Sequence, residues 1–431
     1  MKIVINPLRP VLCDQDGDFH VLLRLQSEPV QGFQPTPLSL ALVVDRSGSM
    51  SGNKLTEAKR CVIDLIKRMR ASDQVGIIQY DDQIDTLMPL MPVEQALGMA
   101  EPLVQGITDG GSTALHEGWL RGSEMLAPEA GGAKACHVIL LSDGQANRGL
   151  TDTARICEQV AALAGAGVTT TTVGLGADFN EELMTAMAQA GQGRAHYGER
   201  AMDLAETFDA ELGLLSGLQW RNVHVSIQHG PQGLEVLNGY ERTEQGWRLP
   251  SVAMGSECWA LLRLPLRLAV QLQRDVGTAL AVQVTAHDSN GALATFEGQM
   301  DALPVVTREQ YEQTPNHELV ERRIHEMTAA QLQLEIRQAA LAGDWMRVEQ
   351  LLSQLEVLGR QEPWIAASIA FARQLLRDRD EQRMSKEMMY KSHKMNHRLA
   401  SLSEMSFCMS DDQQEQAFLR RKMTEGRRSR P

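Results

Sequence analysis

Between residues 40 and 55 the chain reads LALVVDRSGSMSGNKL: an apolar run ends on Asp45, and Ser47, Ser49 and Ser51 follow at alternate positions before a helical pattern begins. Small polar residues at a strand-to-helix turn are ordinary turn chemistry, but they also bring oxygen atoms close together. Two further loops carry donors of the same kind: Thr113 in DGGSTAL, ahead of a helix, and Asp143 in LLSDGQAN, after a second apolar run. In an open parallel sheet the loops at the carboxyl ends of the strands diverge where the strand order reverses, and ligands bind in that crevice. Asp45, Ser47, Ser49, Thr113 and Asp143 can therefore meet in space. Hard oxygen donors of this sort suit Mg²⁺, which takes six oxygens at about 2.0–2.1 Å and often keeps waters. Three of the five are neutral hydroxyls, so the cation keeps part of its charge and a position remains for an outside anion.

The elements that would position these residues follow from periodicity. LSLALVVD reads as a strand buried on both faces, NKLTEAKRCVIDLIKRM as a helix and QVGIIQYDD as the next strand. After an irregular stretch come a helix in STALHEGWLRGSEML, a buried strand in ACHVILLSD, a helix in TARICEQVAALAGAG, a strand in VTTTTVGLG and helices in NEELMTAMAQAG and RAMDLAETFDAELGLLSG. This alternation is that of a doubly wound, Rossmann-like α/β domain.

The texture differs on either side. Residues 2–30 and 218–303 alternate apolar with polar residues between Gly, Pro and Asn turns, as antiparallel strands do. Two strands alone are not stable, so the N-terminal pair must join a larger sheet, and the second β region is its natural partner. From about 306 onward the pattern is helical, and the end of the chain is basic and rich in Met. The expected division is residues 1–37 as N-terminal strands joining a β-sandwich, 38–217 as the α/β domain, 218–305 as the sandwich, 306–400 as a helical region and 401–431 as a basic, flexible tail.

DRSGS, the later Thr of GGSTAL and the Asp of LLSDG together resemble the metal-ion-dependent adhesion site of von Willebrand factor type A domains, over roughly residues 38–216. The resemblance implies that Ser47, Ser49 and Thr113 touch the metal through their hydroxyls while Asp45 and Asp143 hold it directly or through water. The expected ion is Mg²⁺, with Mn²⁺ or Ca²⁺ as alternatives, and the expected partner is a protein whose Asp or Glu completes the coordination, as part of a larger complex. The flanking architecture resembles intracellular bacterial members related to the inter-alpha-trypsin inhibitor heavy chain and to chains labelled calcium-activated chloride channels. The channel label does not carry over, since no segment approaches the roughly 18 apolar residues of a membrane span.

Bulk properties narrow the function classes. A net charge of −13 argues against nucleic acid as a partner, because phosphate binding rests on Lys and Arg. The first twenty residues lack the uninterrupted apolar core of a signal peptide, and the six cysteines (13, 61, 136, 157, 258 and 408) form no C-x-x-C pair. A cytoplasmic protein with reduced cysteines is expected. The plain alternatives are specific. Asp45, Ser47 and Ser49 would on that view cap a helix, Ser51 would be a turn residue, and Asp109 a loop acid or a neighbour of the ligands. GLGAD lacks the third glycine of a dinucleotide fingerprint, and His393 and His397 lack the Glu of a zinc protease helix. Met384, Met388, Met395, Met405 and Met409 would be core or an adaptable binding surface. No Ser-His-Asp or Cys-His pair is evident, so the expectation is a metal-dependent interaction module rather than an enzyme. The alternatives are a hydrolase using the ion as Lewis acid, and a scaffold with an empty site.

Overall fold

A computed structural model describes residues 1–28, 35–132, 134–175, 180–198, 211–230 and 233–360, together with Phe208 and scattered positions from 365 to 401. The expectations for His393, His397, Met395, Met405, Met409 and the tail fall outside the described residues. The chain divides into two compact units. One comprises 34–218 with short additions, and the other comprises 1–33 with 219–288 and 292–415.

In the second of these, strands β1 (Lys2–Pro7) and β2 (Asp18–Gln26) form an antiparallel pair, and β2 pairs along all nine of its residues with the strand Ser256–Pro265. The strand Glu235–Val236 extends the same sheet. The other sheet runs Arg242–Thr243, Gly246–Leu249, Leu218–Ile227, Thr278–His287, Leu293–Asp301 in spatial order. Side chains alternate across each strand. Thus Phe19, Val21, Leu23 and Leu25 share one core with Val223, Val225, Val282 and Val284 of the facing sheet. Leu22, on the opposite face, packs with Trp259, Leu261, Val320 and Met327. The last two belong to the long helix Glu318–Leu341, which covers the sheet's outer face and continues into a helical hairpin with Trp345–Gly359. Met384 and Met388 are buried in that helical core.

One element departs from the all-β expectation for residues 218–303. Leu266–Val276 is a helix, entered at Pro265 and closed by Gly277 at φ +85°. Its buried positions, Leu266, Ala269, Val270 and Leu272, include helical spacing inside a stretch that also alternates like a strand.

The other unit holds a six-stranded sheet. Its strands are β3 (Leu38–Asp45), β4 (Gln74–Tyr80), β5 (Ile84–Pro92), β6 (Ala135–Ser142), β7 (Val168–Leu175) and β8 (Gln192–Gly198), in spatial order β5-β4-β3-β6-β7-β8. All neighbours are parallel except β4 and β5. Every residue of β3 and of β6 is buried, because helices lie on both faces. Leu38, Leu40, Leu42 and Val44 face the core shared with helix α1 (Asn53–Arg68) and helix α2 (Val93–Gln105). Ala41 and Val43 face the core shared with α3 (Leu115–Leu126), α4 (Thr153–Gly165) and α5 (Glu181–Ala190). Helix α1 buries Leu55, Ala58, Cys61, Val62, Leu65 and Ile66, a stripe at three- and four-residue spacing. The stretch expected to be irregular contains β5 and α2, and β8 was not expected at all. Strand order reverses at β3: the chain steps from β3 to β4 on one side, then returns to β6 on the other. The carboxyl ends of β3 and β6 are therefore the predicted crevice.

Candidate metal centre

Asp45 is the last residue of β3, and Asp143 directly follows β6, its parallel neighbour. Both side chains are fully buried. Oδ1 of Asp45 accepts the N–H of Ser47 at 2.8 Å, closing a tight turn, and Oδ2 accepts the hydroxyl of Ser142 at 2.6 Å. The Ser142 oxygen in turn accepts the N–H of Gly144 at 2.7 Å. The hydroxyls of Ser47 and Ser49 lie 3.1 Å apart. The capping alternative fails for these residues. Helix α1 begins behind Gly52, at φ +78°, and neither Ser47 nor Gly52 makes a side-chain cap. Ser51 is exposed in the turn, as is Asp109 in its loop.

The Thr113 loop is laced to the β3 loop through the backbone. Gly110 donates to the Arg46 carbonyl at 2.8 Å and Gly48 donates to the Gly111 carbonyl at 3.0 Å. A side chain at residue 110 would displace the Asp81 carboxylate, so glycine lets the two loops approach with that carboxylate in place. Thr113 is buried, its N–H donates to Oδ1 of Asn147 at 2.8 Å, and its carbonyl accepts from Asn147 and Arg148. Its backbone N–H and carbonyl are thus both committed to the 143–148 loop. Asn147 ties this loop to the one carrying Asp143, so all three loops are joined. The structure gathers Asp45, Ser47, Ser49, Thr113 and Asp143 at one edge of one sheet.

Several residues at the centre were not singled out from sequence. Ser142 sits inside the quoted LLSDG, and Asn147 inside LLSDGQAN, but only the fold shows which group each one meets. Lys54, in the first turn of α1, places Nζ 3.1 Å from Oδ2 of Asp143. Tyr80 lies opposite Asp45 in the β3–β4 register.

The electrostatics follow from burial. Loss of water drives the Asp45 carboxyl up to about 6 against the hydrogen bonds from Ser142 and Ser47, and the nearby Asp143 adds to the rise. The Tyr80 phenol is pushed well above its usual range, first by burial and then by Asp45. At the rim, burial works to raise the Asp81 carboxyl, yet the N–H groups of Gln83 and Gly111 and the Arg46 guanidinium outweigh it and hold the group low. Of the two buried carboxylates, Asp143 is paired with the Lys54 ammonium and Asp45 is held by the Ser47 N–H and the Ser142 hydroxyl. That donor set fits a hard divalent cation, which would supply the missing positive charge. Among the described residues no group of three or more His, Cys, Asp and Glu side chains is placed to hold a metal, so the donors here are two carboxylates with hydroxyls.

Residues 39–210 match the family model of the von Willebrand factor type A domain. The chain is 28% identical over 197 residues to the uncharacterized protein sll0103 of Synechocystis, covering 46% of each chain. It is 29% identical over 175 residues to human inter-alpha-trypsin inhibitor heavy chain H3, covering 38% of this chain and 19% of that one. The chain thus spans less than half the length of these curated relatives. Among solved structures, a von Willebrand factor type A protein from Catenulispora acidiphila superposes with a TM-score of 0.68 at 16% identity, covering 90% of this chain and 96% of that one. The ArnB paralog VWA2 from Sulfolobus acidocaldarius gives 0.62 at 17% identity, covering 92% and 97%. Those two likenesses concern the fold, and they extend across both units. The chain thus carries a region, residues 39–210, that matches the von Willebrand factor type A domain.

Proposed function

We propose that this protein is a metal-dependent interaction module. A Mg²⁺-type ion is held at the carboxyl edge of β3 and β6 by the hydroxyls of Ser47, Ser49 and Thr113, with Asp45 and Asp143 binding directly or through water. A partner protein's Asp or Glu completes the coordination. The observation that carries the reading is the pair of fully buried carboxylates, Asp45 and Asp143, set among neutral hydroxyls, with Lys54 paired to Asp143. Neutral direct ligands leave the ion attractive to an incoming carboxylate, which gains a charge–charge bond that water does not match.

Binding rather than hydrolysis is favoured by the hydroxyl partners. Ser142 donates to Asp45, Ser47 and Ser49 face each other, and among the described residues no histidine is hydrogen-bonded to any of these groups. No helix among the described residues is long and apolar enough to cross a membrane. Affinity purification of the full chain and of Asp45→Ala, each with Mg²⁺ and with EDTA, tests the proposal. A partner retained only by the wild type with Mg²⁺ is expected. Equal capture in EDTA would move the interaction away from this centre.

A further inference from the structure

The ammonium of Lys54 occupies a position that the proposed function leaves unexplained. Its Nζ is 3.1 Å from Oδ2 of Asp143, the Lys54 side chain is 18% exposed, and that of Asp143 is 0% exposed. Lys54 is the second residue of α1, where the unsatisfied N–H groups already make the helix end positive and a cation is disfavoured. The first turn of α1 carries no acidic residue to offset it. What offsets it is the buried Asp143 carboxylate.

We infer that Lys54 is a tethered counter-cation that competes with the divalent ion for Asp143. This rests on the metal reading given above. Without the ion, the ammonium neutralises Asp143 and keeps the crevice from carrying two uncompensated buried charges. When the ion approaches, two cations bid for one carboxylate, and the ammonium, on a flexible four-carbon stem that is 18% exposed, is the one displaced. Lysine suits this role better than arginine, whose planar fork would hold the carboxylate with two bonds. Lys54 thereby sets the metal affinity, and metal entry brings a positive charge out toward the rim, beside the place where an acidic partner would dock.

The test is calorimetric titration of MgCl₂ into the full chain as wild type, Lys54→Met, Lys54→Gln and Asp45→Ala, with thermal melts of each in EDTA and in Mg²⁺. The expected result is that Lys54→Met and Lys54→Gln bind Mg²⁺ about tenfold more tightly than wild type, a coupling of ordinary size. Both should also melt lower than wild type in EDTA and recover in Mg²⁺. Equal affinity in wild type and both variants would overturn the competition, and so would weaker binding in the variants, which would make Lys54 a support for Asp143 instead. Failure of wild type and Lys54 variants alike to bind Mg²⁺ would overturn the metal reading itself, and this inference with it. Two variants guard against one failing to fold.

Discussion

The hydroxyl of Ser142 on β6 donates to Oδ2 of Asp45 at the end of β3 at 2.6 Å, although the residues are 97 positions apart in sequence. This bond crosses the point where strand order reverses, and it is one of two that keep a fully buried carboxylate partly charged. Replacing Ser142 with Ala removes a hydrogen bond to a charged group, so the domain should lose about 1.5–3 kcal/mol at neutral pH. Chemical denaturation of the metal-free proteins measures this.

Asp45 itself costs stability when no cation is present. With its carboxyl raised from 3.8 to about 6, holding the charged form at pH 7 costs about 3 kcal/mol. Asp45→Asn keeps the shape and drops the charge. The metal-free variant should therefore melt a few degrees above wild type, and added Mg²⁺ should no longer shift its midpoint. A variant that melts lower in EDTA would show that the carboxylate stabilises this turn.

Two buried groups give opposite pH dependences. The raised Asp45 contributes stability that is present below pH 3.8 and is lost as pH rises through about 6. His137, pushed down to about 4 chiefly by burial, contributes stability that is present above 6.5 and is lost as pH falls through about 4. The windows overlap, so in metal-free wild type Asp45 offsets part of what His137 loses between pH 6.5 and 4. Asp45→Asn removes one side of the balance. Its stability should fall more steeply than that of wild type as pH drops over that interval, as urea midpoints at several pH values would record.

Legibility tracked burial. β3 and β6 are apolar throughout because both faces are covered, and the stripe of α1 is regular, so these elements and the loops they aim were readable from the sequence. β5 carries Pro89 and Pro92 and sits at the sheet edge, where proline is tolerated and the apolar signal is broken. β8, QGRAHYG, forms the opposite edge and is mostly polar. The helix Leu266–Val276 hid inside a stretch that alternates. At the centre, Asp45, Ser47, Ser49, Thr113 and Asp143 stood out by type and spacing. Lys54, Ser142 and Asn147 did not, because their roles depend on which loop each one reaches across space.

The N-terminal strands are part of the sandwich by pairing: β2 is bonded to Ser256–Pro265 along its whole length, and Val21, Leu23 and Leu25 are fully buried. We propose that residues 1–37 and 218–305 form one cooperative unit. A protein lacking residues 1–37 should lose the sandwich's cooperative melting transition, since a central strand and its apolar face go with them. Differential scanning calorimetry reads this, and an unchanged transition would separate the two segments.

The central claim is that Asp45, Ser47, Ser49, Thr113 and Asp143 form one divalent-cation site. Isothermal titration of MgCl₂ into the metal-stripped full chain, beside Asp45→Ala and Thr113→Ala, tests it most directly. One Mg²⁺ per wild-type chain is expected, none in Asp45→Ala and at least tenfold weaker binding in Thr113→Ala, with the circular dichroism of all three alike. Equal Mg²⁺ affinity in the wild type and in both variants would contradict it.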